Sequence, residues 1–273
     1  MHNIKLARVS TVSFFIETQL EDQIKMIIDS GADVSIISSE HALNRPIPNS
    51  KYFCIEIPRE LSLLKDLIAL VRLYKLFKDH KFDIVHSTTP KAGFLCALAG
   101  FAAAIPVRIH TFTGQPWVTL SGPKRIFAML ADKCIGLLNT VNYADSPSQK
   151  EFLVSRKIIK LSKIFVLGKG SVAGVDVLKF NSSNYNQENR SMIKKSLQIP
   201  DNSIILLFVG RVVKDKGVID LVKAFKDTFT NDSNVYLLFV GPQEVSLSGL
   251  DIDTGGPLKN RIKFTGFTDA PES

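Results

Sequence analysis

Short apolar runs that suit buried strands alternate with helical segments along nearly the whole chain. In the first part we predict strands at residues 5–9, 33–37, 53–57, 82–86, 107–111, 140–144 and 164–167. Between them, apolar residues recur at helical spacing and predict helices at residues 15–30, 61–79, 92–104, 124–138 and 148–156. This alternation is typical of a parallel sheet covered on both faces. The chain is therefore predicted to be an α/β protein.

The C-terminal part repeats the pattern, with strands predicted at residues 204–209, 235–240 and 262–265 and a helix at 218–229. Residues 181–190 are polar and show no periodicity, which is typical of a linker. We therefore predict a first domain over residues 1–180, a linker over 181–200 and a second domain over 201–273. Because a doubly wound domain usually has about five or six strands, we expect the second domain to be incomplete and the chain to be truncated.

Composition limits the kinds of partner and compartment. The 273 residues include 34 Lys and Arg against 26 Asp and Glu, a net charge of +8 that favours anionic partners such as phosphates, nucleic acid or an acidic membrane. Cys54, Cys96 and Cys134 show no metal-binding spacing and fit a reducing cytoplasm. The longest apolar run, residues 92–107, contains Pro106 and is shorter than the roughly 20 residues of a membrane helix. We expect a cytoplasmic protein that can lie on the inner face of a membrane.

The turn after residues 204–209 carries the strongest chemical signal. Gly210 and Arg211 end the apolar run, and Lys216 and Gly217 precede a helical pattern. Free N–H groups, the positive end of a helix dipole and two cationic side chains would meet there, at the carboxyl end of a strand. Such a turn suits a diphosphate. The alternative is a surface turn whose charges only keep the protein soluble.

Three further segments place polar residues after predicted strands. The strand at 82–86 ends in His86, and Lys91 lies at the start of the next helix. For His86 alone, a buried histidine satisfied by its neighbours is the preferred interpretation. The strand at 107–111 leads to Thr113, Gly114 and Gln115, followed by Trp117, which could stack on a sugar or pack in the core. Ser148 and Glu151 have the spacing of a capping box.

Residues 168–173 fit the G-x-G-x-x-A spacing of a dinucleotide site, with Gly170 and Ser171 at its centre. That fingerprint requires a long helix to follow, and the residues after it do not predict one. A nicotinamide or flavin site is therefore disfavoured. Asp251 and Asp253 form a D-x-D pair that could hold a divalent ion, but they lie in a Gly- and Ser-rich stretch that predicts a solvated loop.

In this order, the segments resemble the retaining glycosyltransferases of family 4. These have a GT-B architecture, so the expected fold is two Rossmann-like doubly wound domains, the second incomplete. The Gly-Arg turn followed five residues later by Lys-Gly is similar to the family's donor-diphosphate site. The stretch Thr-Phe-Thr-Gly-Gln followed by Trp resembles a subgroup that builds lipopolysaccharide and capsule glycans.

The resemblance implies transfer of a hexosyl or N-acetylhexosaminyl group from a nucleotide sugar, UDP-linked, to a lipid-linked saccharide with retention. Thr113 stands where many members have a histidine, and because a threonine is no base near neutral pH, the leaving diphosphate is expected to take the acceptor's proton. No metal or other cofactor is expected. The implied site residues are Arg211, Lys216 and Thr113 for catalysis, Gly210, Gly217, Gly170 and Ser171 for the donor, and His86, Lys91, Gly114 and Gln115 on the acceptor side.

Basic runs within residues 59–81 and 150–163 are either solvated faces or a surface for anionic lipid. No nucleic-acid recognition motif accompanies them, so no nucleic-acid partner is expected. Three alternatives remain: an inactive truncated remnant or one half of a split transferase, a basic membrane-surface binding module, and a related nucleotide-sugar epimerase. As a truncated chain, the protein is expected to bind donor weakly and to turn over little.

Overall fold

The computed structural model describes residues 3–58, 60–181, 187–232, 234–244, 258 and 260–268. The chain divides into two compact units, Met1–Gly174 and Val175–Ser273. The predicted domain limits at residues 180 and 200 stay predictions.

The first unit is built on a parallel sheet of seven strands in its described residues, in the order β3-β2-β1-β4-β5-β6-β7. The order reverses between β1 and β4, and the carboxyl edge at such a switch point is where open α/β sheets bind ligands. The strands are β1 Lys5–Val9, β2 Asp33–Ser38, β3 Lys51–Cys54, β4 Ile84–Ser87, β5 Val107–Phe112, β6 Val141–Ala144 and β7 Ile164–Phe165.

Helices cover this sheet on both faces because successive strand residues, which point to opposite faces, are largely apolar. Leu6 of β1 packs in a cluster with residues of the first helical segments, whereas Ala7 and Val9 pack with α3 and α4. A third cluster lies beneath α5 and α6. The helical segments are α1 Ser13–Phe15, a π-helical turn Ile16–Leu20, α2 Glu21–Asp29, α3 Leu63–His80, α4 Pro90–Ala102, α5 Gly122–Leu138 and α6 Pro147–Ser155.

The second unit has three parallel strands in the order β10-β9-β8 within the described residues: β8 Ile204–Val209, β9 Val235–Val240 and β10 Ile262–Gly266. Helix α8, Val218–Phe229, buries Val222 and Phe225 against Phe239 of the sheet. The β8 side chains that alternate with those packed against α8 are exposed: Leu207 is 60% and Val209 54% exposed.

The predicted α/β class and all ten predicted strands are confirmed, with β3 starting two and ending three residues earlier than predicted and β4 starting two residues later. One helix was missed: α7, Gln187–Ser196, lies in the stretch predicted to be a linker. Its residues are mostly polar or charged, so they show little of the apolar periodicity on which the prediction rested. None of the helices in the described ranges is both long and apolar enough to cross a bilayer.

Candidate functional site

The turn between β8 and α8 has the predicted form. Gly210 directly follows β8, and Arg211 is exposed. A 3-10 turn over Lys214–Lys216 then leads to Gly217, the N-cap of the twelve-residue helix α8. Lys216 is exposed at the start of this helix, where N–H groups lack helical partners. One short turn of the second unit therefore presents Arg211 and Lys216, with Lys214 between them in sequence, and a helix N-terminus at the carboxyl end of a strand.

The loop after β9 holds this turn in place. Val212 is buried, its N–H donates to Pro242 O at 2.9 Å, and its carbonyl accepts from Glu244 N at 3.1 Å. Gly241 lies so close that a Cβ there would be 2.0 Å from Gly210 O. Gly241 could not be predicted from the sequence, because the need for glycine comes from a neighbouring loop and leaves no periodic signal.

Arg211 is paired with a carboxylate. Its Nη1 lies 3.2 Å from Glu244 Oε2, and the two side chains are 55% and 47% exposed. An exposed pair of this kind contributes little to stability, about 0–1 kcal/mol. An anionic ligand at Arg211 would therefore compete with Glu244, a residue that the sequence analysis did not single out. Lys216 has no carboxylate partner in the described part of the chain.

In the first unit, the loop after β5 carries Thr113, Gly114 and Gln115. Trp117 anchors this loop: it is 1% exposed, and its Nε1 donates to Asp132 Oδ2 at 2.7 Å. Its ring also stacks on Phe152 with centroids 5.3 Å apart. Of the two interpretations of Trp117, core packing is confirmed. Thr113 and Gln115 are half-buried and Gly114 is exposed, so the loop itself stays at the surface.

The loop after β6 lies beside it. Ser146 caps α6, its Oγ accepting from Gln149 N at 3.1 Å, while Gln149 Oε1 accepts from Asp145 N at 2.7 Å. The predicted capping box at Ser148 and Glu151 was therefore wrong, because Pro147 already occupies the first helical position. Gln149 Nε2 reaches Gln115 Oε1 at 3.5 Å, which links this loop to the one after β5.

The chain after β7 contacts the loop after β6. Ser171 N donates to Asp145 O at 2.6 Å, and a Cβ at Gly170 would lie 2.2 Å from that carbonyl. One carboxylate oxygen of Asp145 is buried without a hydrogen-bond partner in the described structure, and partial burial raises the pKa of this carboxyl to about 6. Within 171–181 no helix follows, so the dinucleotide site that residues 168–173 suggested lacks its required element.

His86 and Lys91 are engaged with neighbours. His86 is 8% exposed within β4, and its Nε2 lies 2.8 Å from Thr111 Oγ1 of β5. Burial, with the charge of Arg8, holds the pKa of His86 well below its ordinary value, so the ring is neutral at pH 7. Lys91 pairs with Asp66 of α3 at 2.7 Å and donates to Glu60 O. The preferred interpretation of His86, a buried and satisfied histidine, is confirmed.

At the switch point, the loops after β1 and β4 bond to each other. Thr11 N donates to Thr89 Oγ1 at 2.9 Å, and the hydroxyl oxygens of these two threonines are 2.8 Å apart. Beneath them, Arg8 is fully buried, donating to His86 O at 3.3 Å and Gln23 Oε1 at 3.0 Å. Burial lowers the pKa of Arg8 to about 9. None of these contacts was predicted from the sequence.

No group of three or more His, Cys, Asp or Glu side chains that could hold a metal ion occurs among the residues with a described position. Asp251 and Asp253 lie outside those residues, as does Arg59 of the first basic run.

Two family models match this chain. The glycosyl transferase 4-like domain matches residues 16–136, which include the loop after β5, and the glycosyl transferases group 1 domain matches residues 189–272, which include the β8–α8 turn. Each half of the chain thus matches a glycosyltransferase domain. The resemblance inferred from the sequence motifs is thereby confirmed, and the candidate site residues other than Gly170 and Ser171 lie within the two matched ranges.

Curated relatives of this chain are bacterial glycosyltransferases. The capsular polysaccharide biosynthesis glycosyltransferase CapM of Staphylococcus aureus is 33% identical over 248 residues, which cover 91% of this chain and 64% of CapM. The UDP-Gal:alpha-D-GlcNAc-diphosphoundecaprenol alpha-1,3-galactosyltransferase of Escherichia coli is 29% identical over 224 residues, 80% of this chain and 52% of that enzyme. The chain thus spans roughly half to two thirds of the length of these relatives.

A solved structure shows the same fold. HepE of Anabaena, crystallised in complex with UDP and glucose, superposes with a TM-score of 0.74 at 16% identity, covering 99% of this chain and 71% of HepE. The predicted GT-B fold of this chain is therefore confirmed.

Proposed function

We propose that the protein acts in cell-surface polysaccharide synthesis by moving a hexosyl or N-acetylhexosaminyl group from a UDP-sugar to a lipid-linked saccharide with retention. The observation that carries the proposal is the β8–α8 turn, where Arg211, Lys216 and the start of α8 converge within a group 1 glycosyltransferase domain. UDP is favoured because HepE was crystallised with it and the Escherichia coli relative is named for UDP-Gal and a diphosphoundecaprenol-linked sugar.

In this proposal the donor's diphosphate lies on the turn, close to the backbone at Gly210 and Gly217. As the bond between the sugar and the diphosphate breaks, negative charge builds on the leaving phosphate. Arg211 and Lys216 stabilise that charge, and donors aimed at developing charge usually give the largest single contribution to catalysis. Two cationic side chains can supply this stabilisation without a metal ion, so we propose a metal-independent reaction.

The acceptor oxygen forms its bond to the sugar on the face that the diphosphate leaves, and its proton passes to the departing phosphate oxygen. Thr113 contributes a hydrogen bond to this exchange, since its hydroxyl can donate or accept but is no base near neutral pH. Gly170 and Ser171 serve the donor, and Gly114 and Gln115 the acceptor. We propose that His86 and Lys91 support the acceptor side indirectly, through their bonds to Thr111 and Asp66.

An anionic membrane surface is the proposed platform for a lipid-linked acceptor. The N-terminal half of α3 exposes a row of apolar side chains, including Leu63 at 85%, Leu64 at 71% and Leu67 at 56%. Exposed basic residues lie along the same helix: Lys65, Arg72, Lys75 and Lys78. Apolar side chains beside cationic ones are typical of helices that lie in the surface of an anionic bilayer. We propose no nucleic-acid partner.

UDP binding tests the proposed donor site. By calorimetry, we expect Arg211→Ala and Lys216→Ala each to weaken UDP binding by about tenfold or more, because each removes a charge-assisted hydrogen bond. UMP, which lacks the second phosphate, should be affected less. Glu244→Gln should instead tighten UDP binding a few-fold, because the competing carboxylate at Arg211 is removed.

Lys214→Ala is the matched control, since Lys214 lies in the same 3-10 turn and is equally exposed. It should bind UDP as the unchanged chain does. If neither Arg211→Ala nor Lys216→Ala changes UDP affinity, the donor site is not at this turn. If the chain binds neither UDP nor a UDP-sugar, the proposed donor is wrong.

A further inference from the structure

A pocket lies in the first unit between the C-terminal half of α5 and the connection from α6 to β7. Its volume is about 470 Å³. The lining is largely apolar and comes from Leu137, Val154, Ile158, Ile159 and Leu161. Because it lies just before β6 and β7, it is at the amino-terminal edge of the parallel sheet, whereas the loops of the candidate site follow the strands. It is therefore a separate feature.

The shape of the pocket depends on a close approach between the two segments. At Gly136 of α5, a Cβ would lie 2.7 Å from Ile159 Cγ1, so the connection packs directly against the helix. Ile158 and Ile159 are buried there, 5% and 4% exposed. Leu137 and Leu161 instead stand at the rim, 69% and 62% exposed. The pocket thus has a floor of buried apolar side chains and a rim of exposed apolar side chains.

Four lysines surround this apolar surface: Lys133, Lys157, Lys160 and Lys163. Lys163 is already used, because its Nζ donates to Leu137 O at 2.8 Å and Asn139 O at 3.0 Å and so neutralises the C-terminus of α5. The other three are exposed. In the described ranges no carboxylate pairs with any of them. Asp132, the acidic residue next to Lys133, is buried against Trp117 instead.

We propose that this pocket binds one phosphate-bearing lipid, with the phosphate among Lys133, Lys157 and Lys160 and the first carbons of the lipid on the apolar floor. Three lysines without carboxylate partners are opposite in charge to a phosphate. The apolar floor and rim can contact an acyl or prenyl chain, whereas a free phosphate ion has no apolar part to bury there. The exposed residues Ile126 and Leu130, 61% and 58%, each lie about two helical turns before Lys133 and Leu137, respectively, on the same face of α5 and extend the apolar rim.

This inference does not depend on the proposed transferase chemistry, since none of its residues belongs to the donor or acceptor loops. The probe is dihexanoyl phosphatidic acid below its micellar concentration, added to the full chain with isotope-labelled Ile and Leu methyl groups. We expect saturable shifts of the methyl signals of Leu137, Ile159 and Leu161. Inorganic phosphate and dihexanoyl phosphatidylcholine should bind at least about tenfold more weakly, because one lacks the chain and the other is zwitterionic.

A double variant, Lys133→Glu with Lys160→Glu, should lose at least about tenfold in affinity for the phosphatidic acid. Lys195→Glu with Lys223→Glu, the same charge change on exposed residues of the second unit, should bind as the unchanged chain does. Equal loss in both double variants, or no loss in the first, overturns the proposal. Inorganic phosphate binding as tightly as the lipid would show a phosphate site and overturn the lipid assignment. UDP affinity, measured on the same samples, should stay constant and so separates this inference from the donor site.

Discussion

Among single residues, Asp132 is the one whose contribution to stability is expected to depend most clearly on pH. It is 3% exposed, and burial raises its pKa to about 6 although the indole N–H of Trp117 opposes the shift. Because the unfolded carboxyl has a pKa of about 3.9, the folded chain holds this proton more tightly than the unfolded chain does. The contribution of Asp132 to the free energy of unfolding is therefore most favourable below about pH 4, and it falls as the pH rises to about 6.

Asp132→Asn keeps an oxygen that can accept from Trp117 and removes the charge. We expect the free energy of unfolding at pH 7 to rise by on the order of 1–3 kcal/mol and its decline between pH 4 and 6 to become shallower. Part of that decline should remain, since partial burial also raises the pKa of Asp145 to about 6. Denaturant unfolding at a series of pH values measures both effects.

Trp117→Phe is the matched control for this residue pair. It leaves the buried carboxylate without its donor, so it should lower stability at pH 7 and keep the decline with pH. An Asp132→Asn variant with the same pH dependence as the unchanged chain would show that Asp132 is not the titrating group.

At the scale of elements, the chain after β7 is fixed by its contact with the end of β6. Gly170 has φ 101°, and a Cβ there would lie 2.2 Å from Asp145 O. Gly170→Ala must therefore break the bond from Ser171 N to that carbonyl or move a strand end. We expect a loss of about 2–4 kcal/mol in the free energy of unfolding, measured by denaturant titration.

Gly168→Ala provides the comparison, because Gly168 also has a positive φ, 55°, but no atom lies within 4 Å of a Cβ there. It should lose only about 1–2 kcal/mol, the ordinary strain of a left-handed residue. Equal losses at the two positions would mean that backbone strain alone, rather than the contact with Asp145, makes Gly170 necessary.

The elements themselves could be predicted because their signals are local. The apolar run at 204–209 and the helical spacing after Gly217 give β8, the basic turn and α8 in sequence order. What could not be predicted came from neighbours distant in the chain. Gly241 is needed because of Gly210, and the hydrogen bonds of Asp145 and Gln149 depend on loops after two other strands. Ser146 rather than Ser148 became the cap because Pro147 set the first helical position.

For the molecule as a whole, the candidate site could likewise be predicted only where it depends on residues close together in the chain. The order of the motifs predicted both family domains and the turn with Arg211 and Lys216, since these depend on residues close together in the chain. The pairing of Arg211 with Glu244 joins residues 33 positions apart, and the burial of Trp117 depends on Asp132 and Phe152. A pattern of charges in the sequence does not show which side chains are close in space. The sequence could therefore indicate Arg211 and Trp117 without assigning their partners.

The net charge of +8 belongs to the molecule as a whole and favours binding to an anionic surface. If the exposed side of α3 lies on a bilayer, Leu63→Ser with Leu67→Ser should reduce binding to vesicles that contain anionic lipid by about tenfold or more, since each exposed leucine contributes roughly 1–2 kcal/mol on burial. Met26→Ser is the control, because Met26 is 73% exposed on α2, whose cluster lies on the opposite face of the sheet from that of α3. Vesicle flotation measures the bound fraction, which should also fall between 0.1 and 0.5 M salt as the Debye length shortens to a few ångströms. Equal binding to neutral vesicles, or an equal loss in Met26→Ser, would show that α3 is not the surface that contacts the membrane.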